Sequence, residues 1–326
     1  MYLKHFGLDR NPFSLTPDPR FLFLTAKHRE ALAALLFAVT ERKGFMVMTG
    51  DAGTGKTTLV RKLLLSIPVT CAQFSVIVNP ALTRSEFLES VLMDFGLQDI
   101  PSSKALRLAQ LKNLLLRAHN EGKTSVLVID EAHLLTADLI DEIRLLSNFE
   151  TSEQKLLQTI LVGQDELKTV LNLESMRQVK QRVAIRMHID PLTDAEVKRY
   201  MQTRWTRASA QPRFPFSDEA IDLVARASGG IPRVVNVISD AALVNAYGSG
   251  ASAISLIHIQ EVLKDLQIAA VGAPSACHPD VEASPSEIAR SPVRLKTVER
   301  YLPEKPRASR LLKIAGWFKP VATEIK

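Results

Sequence analysis

The nonapeptide GDAGTGKTT, residues 50–58, decides the fold of this chain. Residues 45–49 before it are mostly apolar, and leucine and valine recur at helical spacing after it, so a strand leads in and a helix leads out. The stretch matches G-x-x-x-x-G-K-[ST] in full, the pattern of a glycine-rich phosphate-binding loop. Such a loop turns its backbone N–H groups toward a phosphate, and the following helix adds the positive end of its dipole. We therefore predict a nucleotide-binding α/β fold.

The loop also predicts which atoms hold the nucleotide. Lys56 is expected to reach the β- and γ-phosphate oxygens, and the Thr57 hydroxyl is expected to bind Mg²⁺. The predicted cofactors are therefore ATP and Mg²⁺. The full set of predicted ATP-binding residues is Gly50, Asp51, Ala52, Gly53, Thr54, Gly55, Lys56, Thr57 and Thr58.

A second motif, SVLVIDEAH at residues 125–133, ends an apolar strand with two carboxylates. In open parallel sheets, ligands bind at the carboxyl ends of the strands, so Asp130 is expected to hold Mg²⁺ together with Thr57. Glu131 is expected to polarise the water that attacks the γ-phosphate, which favours hydrolysis over phosphoryl transfer to a small molecule. The alternative is that the acidic pair caps the helix that follows.

The order of apolar and helical segments predicts two folded domains and a tail. Short continuous apolar runs alternate with helix-length segments up to residue 190, as in a parallel sheet covered on both faces. T-x-x-E capping boxes begin at Thr83 and Thr193. We predict an α/β nucleotide-binding domain over 1–190, a small all-helical lid over 191–268, and a mostly disordered Pro/Ser-rich tail over 269–326.

Composition narrows the class of protein. At 326 residues, with 46% hydrophobic and 23% charged residues, the chain has the composition of globular domains. No apolar run approaches the ~18 residues of a membrane span, and no apolar signal segment begins the sequence. Cys71 and Cys277 show no metal or redox spacing, which fits a reducing cytoplasm.

The charge distribution bears on partners. The net charge is +6, but residues 276–326 contain ten Lys/Arg and six Asp/Glu and contribute +4, leaving +2 for the first 275 residues. This balance makes nucleic acid the less favoured partner. Basic residues at near-helical spacing in 104–117 form either a DNA-facing track or a solvated helix face. Near the end, a basic amphipathic stretch at 310–319 either docks on the body or binds a partner or a membrane surface.

The motifs together resemble the AAA+ ATPases, and within them the ExeA/GspA-like group (general secretion pathway protein A). The resemblance covers about residues 1–268 and rests on NPF, PDPRFLFL, GDAGTGKTTL, VIDEAHLL, LLSNFET, KLLQTILVGQDEL, RQVKQR and SGGIPRVVNVISDAAL. The MuB- and TnsC-like transposition ATPases are related and remain an alternative.

The resemblance implies a P-loop AAA+ core with a five-stranded parallel sheet of order 5-1-4-3-2, and a ring or filament with ATP bound between subunits. Gln164 would be sensor 1, which orients the attacking water, or else a polar residue at a helix start. Arg233 would be sensor 2, reaching the γ-phosphate from the lid, or else a surface arginine. Residues 12–13 and 21–24 resemble the segment around the adenine base, with ordinary core packing as the alternative.

Four basic residues in 177–186 lie where AAA+ proteins place the arginine finger, which reaches ATP bound to the neighbouring subunit. Arg182 is the first candidate and Arg177 the second. The alternative is a solvated basic helix end.

Three functions follow as hypotheses. The first is an oligomeric ATPase that drives or regulates assembly of an envelope- or secretion-associated complex, cytoplasmic and peripheral at the inner membrane. The second is a DNA-binding regulator of transposition. The third is a slow nucleotide-gated scaffold.

Overall fold

The computed structural model describes residues 2–16, 18–209 and 213–268. Its centre is a five-stranded sheet in which all four neighbouring strand pairs are parallel, with the order β2-β3-β4-β1-β5. This is the order predicted from the resemblance, read from the other edge, so the fold class is confirmed. The strands are β1 (Phe45–Gly50), β2 (Ala72–Ile77), β3 (Thr124–Ile129), β4 (Leu157–Gly163) and β5 (Val183–Ile189).

Helices cover the sheet and then continue alone after β5. The described helices are α1 (Tyr2–His5), α2 (Ala26–Thr40), α3 (Lys56–Ser66), α4 (Arg84–Asp94), α5 (Lys104–Asn120), α6 (Ala137–Leu146), α7 (Glu166–Asn172), α8 (Arg177–Arg182), α9 (Asp194–Ala208), α10 (Asp218–Ser228), α11 (Pro232–Gly248) and α12 (Leu256–Asp265). Short 3-10 turns lie at Pro19–Phe21, Ala132–Leu134 and Glu174–Met176.

Burial explains why the strands read as continuous apolar runs. Strands β1, β3 and β4 are buried along their whole length, because separate hydrophobic clusters pack on the two faces of the sheet. Strand β5 lies at an edge and its side chains alternate between exposed and partly buried. Both predicted capping boxes are present, at Thr83 with Glu86 and at Thr193 with Glu196.

The helices α9–α12, which we call the lid helices, share their core with the beginning of the chain. Phe6, Leu8, Phe13 and Phe21 are buried in the same cluster as residues of all four lid helices. Tyr2 and Asn11 both donate hydrogen bonds to Asp240 of α11, at 2.6 and 2.9 Å. The N-terminal segment therefore packs with the lid helices, which the sequence did not predict.

Arg204 of α9 holds this segment in place. Its side chain is buried, its Nε donates to Pro12 O, and its Nη2 donates to Ser14 O at 3.2 Å. Its guanidinium also lies over the rings of Phe21 and Tyr200, at 4.9 and 5.4 Å from their centroids. Five N–H donors in a planar fork make arginine suited to such a junction.

One backbone contact joins the lid helices to the end of the sheet. The Leu192 N–H donates to Gly230 O at 2.8 Å, in the turn between α10 and α11. Gly230 has φ +73°, and a Cβ there would lie 2.0 Å from Leu192 O, so only glycine fits. None of the described helices is both long and apolar enough to cross a membrane. The predicted disordered tail, 269–326, lies outside the described residues.

Candidate nucleotide site

The phosphate-binding loop lies between the carboxyl end of β1 and the first residue of α3, as the motif predicts. Lys56 is only 7% exposed, and its Nζ donates to the carbonyl oxygens of Gly50 and Asp51, both at 2.8 Å. Burial lowers the pKa of Lys56, against the opposing effect of Glu131 and Asp130. Among the described residues, the ammonium bonds only neutral carbonyls. A buried cation with neutral partners is suited to receive an anion.

Thr57 and Asp130 meet at the base of the loop. The Thr57 hydroxyl donates to Asp130 Oδ2 at 2.7 Å, and Asp130 is buried at the end of β3. Its other oxygen, Oδ1, accepts the backbone N–H of Glu131 at 2.9 Å. A hydroxyl and one carboxylate side by side fit Mg²⁺, which takes few protein ligands and completes its shell with water and phosphate oxygens.

Glu131 and Gln164 lie just beyond the carboxyl ends of the neighbouring strands β3 and β4, and both contact His133. Glu131 has a left-handed backbone, φ +51°, and its side chain is 45% exposed. The His133 Nδ1 lies 3.5 Å from Glu131 Oε2, and its Nε2 lies 3.1 Å from Gln164 Nε2. Thr136 caps α6, so the acidic pair does not act as that cap.

His28, which the sequence analysis did not single out, contacts the backbone of the phosphate-binding loop. Its Nε2 lies 3.2 Å from Thr54 O, and its Nδ1 lies 2.7 Å from the Thr25 hydroxyl. The ring is buried, and burial lowers its pKa below the ordinary 6.5. A neutral imidazole with a partner at each nitrogen is consistent with this burial.

The first turn of α11 lies against the loop. A Cβ added to Gly53 would lie 2.7 Å from the Cβ of Arg233 and 3.1 Å from Ile231 Cγ2. Arg233 itself is exposed. The structure therefore brings Arg233 beside the predicted phosphate site, although the two are separated by 180 residues of sequence.

A cavity opens next to the loop between the N-terminal segment and the lid helices. Its walls come from both ends of the described chain: residues 21–24, His28, the start of α3, and Leu192, Tyr200, Arg204 and Pro232. Phe13 is fully buried outside these walls. Of the two segments that resemble a base-binding element, only 21–24 therefore lines the cavity.

The arginine cluster divides into bonded and exposed side chains. Arg182 Nη1 donates to Arg144 O at 3.0 Å and to Ser147 Oγ at 2.8 Å, at the carboxyl end of α6. Arg186 donates to Lys180 O at 3.1 Å. Arg177 is exposed at the start of α8. Within the described residues, no hydrogen bond joins these side chains to the phosphate-binding loop of the same subunit.

The parallel sheet, the loop and the two carboxylates after β3 define a P-loop nucleotide-binding protein of the AAA+ class. The AAA domain family matches residues 39–171. General secretion pathway protein A from Aeromonas hydrophila is 39% identical over 252 residues, which cover 77% of this chain and 46% of that protein. The chain belongs to the AAA+ ATPases of this GspA-like group, and it spans about half the length of that relative.

Solved structures show the same fold. The ORC2 protein of Aeropyrum pernix has a TM-score of 0.61 at 17% identity, covering 79% of this chain and 72% of its own. Cdc6p of Pyrobaculum aerophilum has a TM-score of 0.62 at 18% identity, covering 82% and 73%. Drosophila ORC bound to DNA has a TM-score of 0.62 at 19% identity, covering 79% and 65%. At these identities the likeness concerns the fold alone.

Proposed function

We propose that this protein is an oligomeric, Mg²⁺-dependent ATPase. The observation that carries the proposal is Lys56, a buried cation that bonds only carbonyl oxygens within the described part of the chain and lies next to Thr57, the partner of Asp130. Glu131 at the end of the same strand supplies a carboxylate for hydrolysis. We propose the division into 1–190, 191–268 and 269–326 as the working domain boundaries.

The residues of the site divide the work of hydrolysis. Lys56 and the loop N–H groups neutralise phosphate charge, and Thr57 and Asp130 would hold Mg²⁺, which would supply further positive charge to the phosphate oxygens. Glu131 takes the proton of the attacking water, and Gln164 orients that water by hydrogen bonding. Arg233 approaches the γ-phosphate from the lid side. The close approach of Arg233 to Gly53 of the loop supports this last assignment.

A decisive test separates binding from hydrolysis. Glu131→Gln keeps the size of the side chain and removes the base, so it is expected to bind ATP normally and to release phosphate at least ~10²-fold more slowly. Lys56→Met is expected to lose binding. A Glu131→Gln variant that turns over at the wild-type rate would refute the proposed base, and wild type that binds ATP without turnover would favour the scaffold.

The proposed oligomer, a ring or filament, completes the site with an arginine from the neighbouring subunit. Arg182 is the first candidate, and α6 holds its guanidinium in a defined orientation. Arg177, the second, is already exposed. Removing an arginine finger costs about 10³–10⁵ in rate where measured in GTPases, so Arg182→Ala should bind ATP and not hydrolyse it.

Mixing experiments test whether the arginine acts across subunits. Arg182→Ala subunits keep an intact Glu131, and Glu131→Gln subunits keep an intact Arg182. Mixed oligomers are therefore expected to regain activity that neither variant has alone. If mixing Arg177→Ala subunits restores turnover and mixing Arg182→Ala subunits does not, the finger is Arg177. Full activity of a dilute monomer would refute both.

We further propose that this ATPase drives or regulates assembly of an envelope- or secretion-associated complex. The proposal is supported by the 39% identity to a protein named general secretion pathway protein A. The proposed location is cytoplasmic and peripheral at the inner membrane, with the basic tail as the contact to an envelope partner or a membrane surface.

Two of the basic residues on α5 that could have faced DNA pair with carboxylates of this chain instead. Lys104 pairs with the buried Glu142 at 2.7 Å, and Arg107 is itself buried and pairs with Glu89 at 3.0 Å. ATPase rates with duplex DNA and with anionic liposomes distinguish the partners. Strong, salt-sensitive stimulation by DNA alone would favour the transposition-regulator alternative.

A further inference from the structure

His133 is the one polar residue of the string DEAH, residues 130–133, to which the proposed hydrolysis gives no task, yet its side chain lies between Glu131 and Gln164, which both have one. Its side chain is 12% exposed. It follows Glu131 by two residues, in the 3-10 turn Ala132–Leu134, and this turn lies over the carboxyl end of β4. The ring therefore has access to both strand ends at once.

Two backbone features, at Glu131 and at Gly163, determine where His133 lies. Glu131 adopts φ +51°, a left-handed conformation that is strained for a non-glycine residue and persists only where its surroundings hold it. Gly163, the last residue of β4, makes room for the turn, because a Cβ there would lie 3.0 Å from the backbone nitrogen of His133. Both features bring the His133 ring toward Gln164.

The two ring nitrogens have separate neighbours. Nε2 lies 3.1 Å from the side-chain nitrogen of Gln164. Nδ1 lies 3.5 Å from Glu131 Oε2 and 3.4 Å from the backbone nitrogen of Gln164. Nδ1 cannot donate to the carboxylate and accept the backbone N–H at the same time.

The choice between the two follows from charge. An Nδ1 lone pair would face the Glu131 carboxylate at 3.5 Å, whereas an Nδ1–H points a donor toward that negative charge. With the proton on Nδ1, Nε2 accepts the side-chain N–H of Gln164 at 3.1 Å, and the longer 3.4 Å bond from the Gln164 backbone N–H is given up. The result is a chain in which the Gln164 side chain donates to His133, and the Nδ1–H of His133 faces the carboxylate of Glu131.

We propose that His133 is a positioning residue that couples the sensor amide of Gln164 to the carboxylate of Glu131. It fixes the rotamer of Glu131 and the orientation of the Gln164 amide, so that both meet the same water. The inference rests on the proposed ATP hydrolysis, since it assigns a role within that reaction. Within the described residues, the side-chain partners of His133 are Glu131 and Gln164, and neither Lys56 nor the Thr57–Asp130 pair bonds to it.

The test uses the full chain and three substitutions at one position. His133→Phe keeps the ring and removes both nitrogens, His133→Ala removes the ring, and His133→Asn restores a donor near the Nδ1 position. Phosphate release at saturating ATP and Mg²⁺ gives kcat, and binding of a fluorescent ATP analogue gives Kd. Leu134→Ala, at an exposed neighbour in the same turn, is the matched control.

We expect His133→Ala and His133→Phe to lower kcat by about 10–100-fold, as for residues that orient a reacting group, with Kd for ATP unchanged. His133→Asn should recover part of the rate. Because His133 and Gln164 belong to one chain of contacts, the double variant His133→Ala/Gln164→Ala should lose clearly less activity than the product of the two single losses.

The possible results separate this inference from the proposed function. Wild type that hydrolyses ATP while His133→Phe matches it within about two-fold would overturn the coupling role and leave the ATPase proposal standing. Losses that add in the double variant, or a parallel loss of ATP binding, would also overturn it. Absence of turnover in wild type would refute the ATPase proposal, and the coupling with it.

Discussion

Replacing Gly230 with alanine tests whether the lid helices are joined to the sheet as described. The two adjacent glycines of the α10–α11 turn form a matched pair. Both have a left-handed backbone, with φ +55° at Gly229 and φ +73° at Gly230. A Cβ at Gly229 meets nothing within 4 Å, whereas a Cβ at Gly230 lies 2.0 Å from Leu192 O and 2.9 Å from Leu192 C.

The magnitudes follow from this difference. Each alanine costs about 1–2 kcal/mol for the left-handed conformation, and restriction of the unfolded chain offsets about 0.4–1 kcal/mol of it. Gly229→Ala should therefore destabilise by about 0–1.5 kcal/mol. Gly230→Ala must also displace a backbone carbonyl, at about 1–3 kcal/mol, and lose the Leu192–Gly230 hydrogen bond, at about 0.5–1.5 kcal/mol.

The assay is urea unfolding of wild type and both variants, followed by far-ultraviolet circular dichroism. Gly230→Ala is expected to be about 2–4 kcal/mol less stable than Gly229→Ala. It should also weaken ATP binding, because Leu192 lines the cavity and Arg233 begins the next helix. If the two variants differ by less than about 0.5 kcal/mol, the junction does not have the described geometry.

Three further predictions concern the buried basic side chains Lys56, Arg204 and His28. Lys56→Met removes a buried charge, so the melting temperature without nucleotide should not fall, while the stabilising shift on adding ATP and Mg²⁺ should vanish in a thermal melt. A lysine at position 204 cannot reach several acceptors at once, so Arg204→Lys should destabilise the fold by about 2–4 kcal/mol and expose the N-terminal segment to limited proteolysis. The control Arg199→Lys, at an exposed position, should have neither effect. The lowered pKa of His28 means that the folded state resists its protonation, so wild type should lose stability as the pH falls below 6.5. His28→Gln should lose that part of the pH dependence, measured as urea midpoints between about pH 5 and 8, and an unchanged profile would contradict the buried neutral ring.

The phosphate-binding loop was predictable because its chemistry is local. Nine consecutive residues, with a strand before them and a helix after them, determine where Lys56 and Thr57 lie. The position of Asp130 beside Thr57 follows almost as directly, because Thr57 follows β1 and Asp130 follows β3 at the same carboxyl edge of one parallel sheet. The order of the strands required the family resemblance, since apolar runs alone do not say which strands are adjacent.

The supporting residues were not predictable for the opposite reason. His28 acts on a carbonyl 26 residues away, and His133 contacts an amide 31 residues away. No local pattern distinguishes such a histidine from one in the core or on the surface. Likewise, the aromatic residues of the N-terminal segment carry no periodicity that would assign them to helices beginning some 190 residues later.

The packing of the N-terminal segment on the lid helices makes the lid a body built from two separate lengths of sequence. The chain crosses between this body and the sheet twice, once near Leu24 and again near Leu192. A body attached at two points turns most easily about the line that joins them. We therefore expect any motion of the lid helices relative to the sheet to follow that one axis. A fragment of the lid helices alone would also expose the surface that Phe6, Phe13 and Phe21 cover.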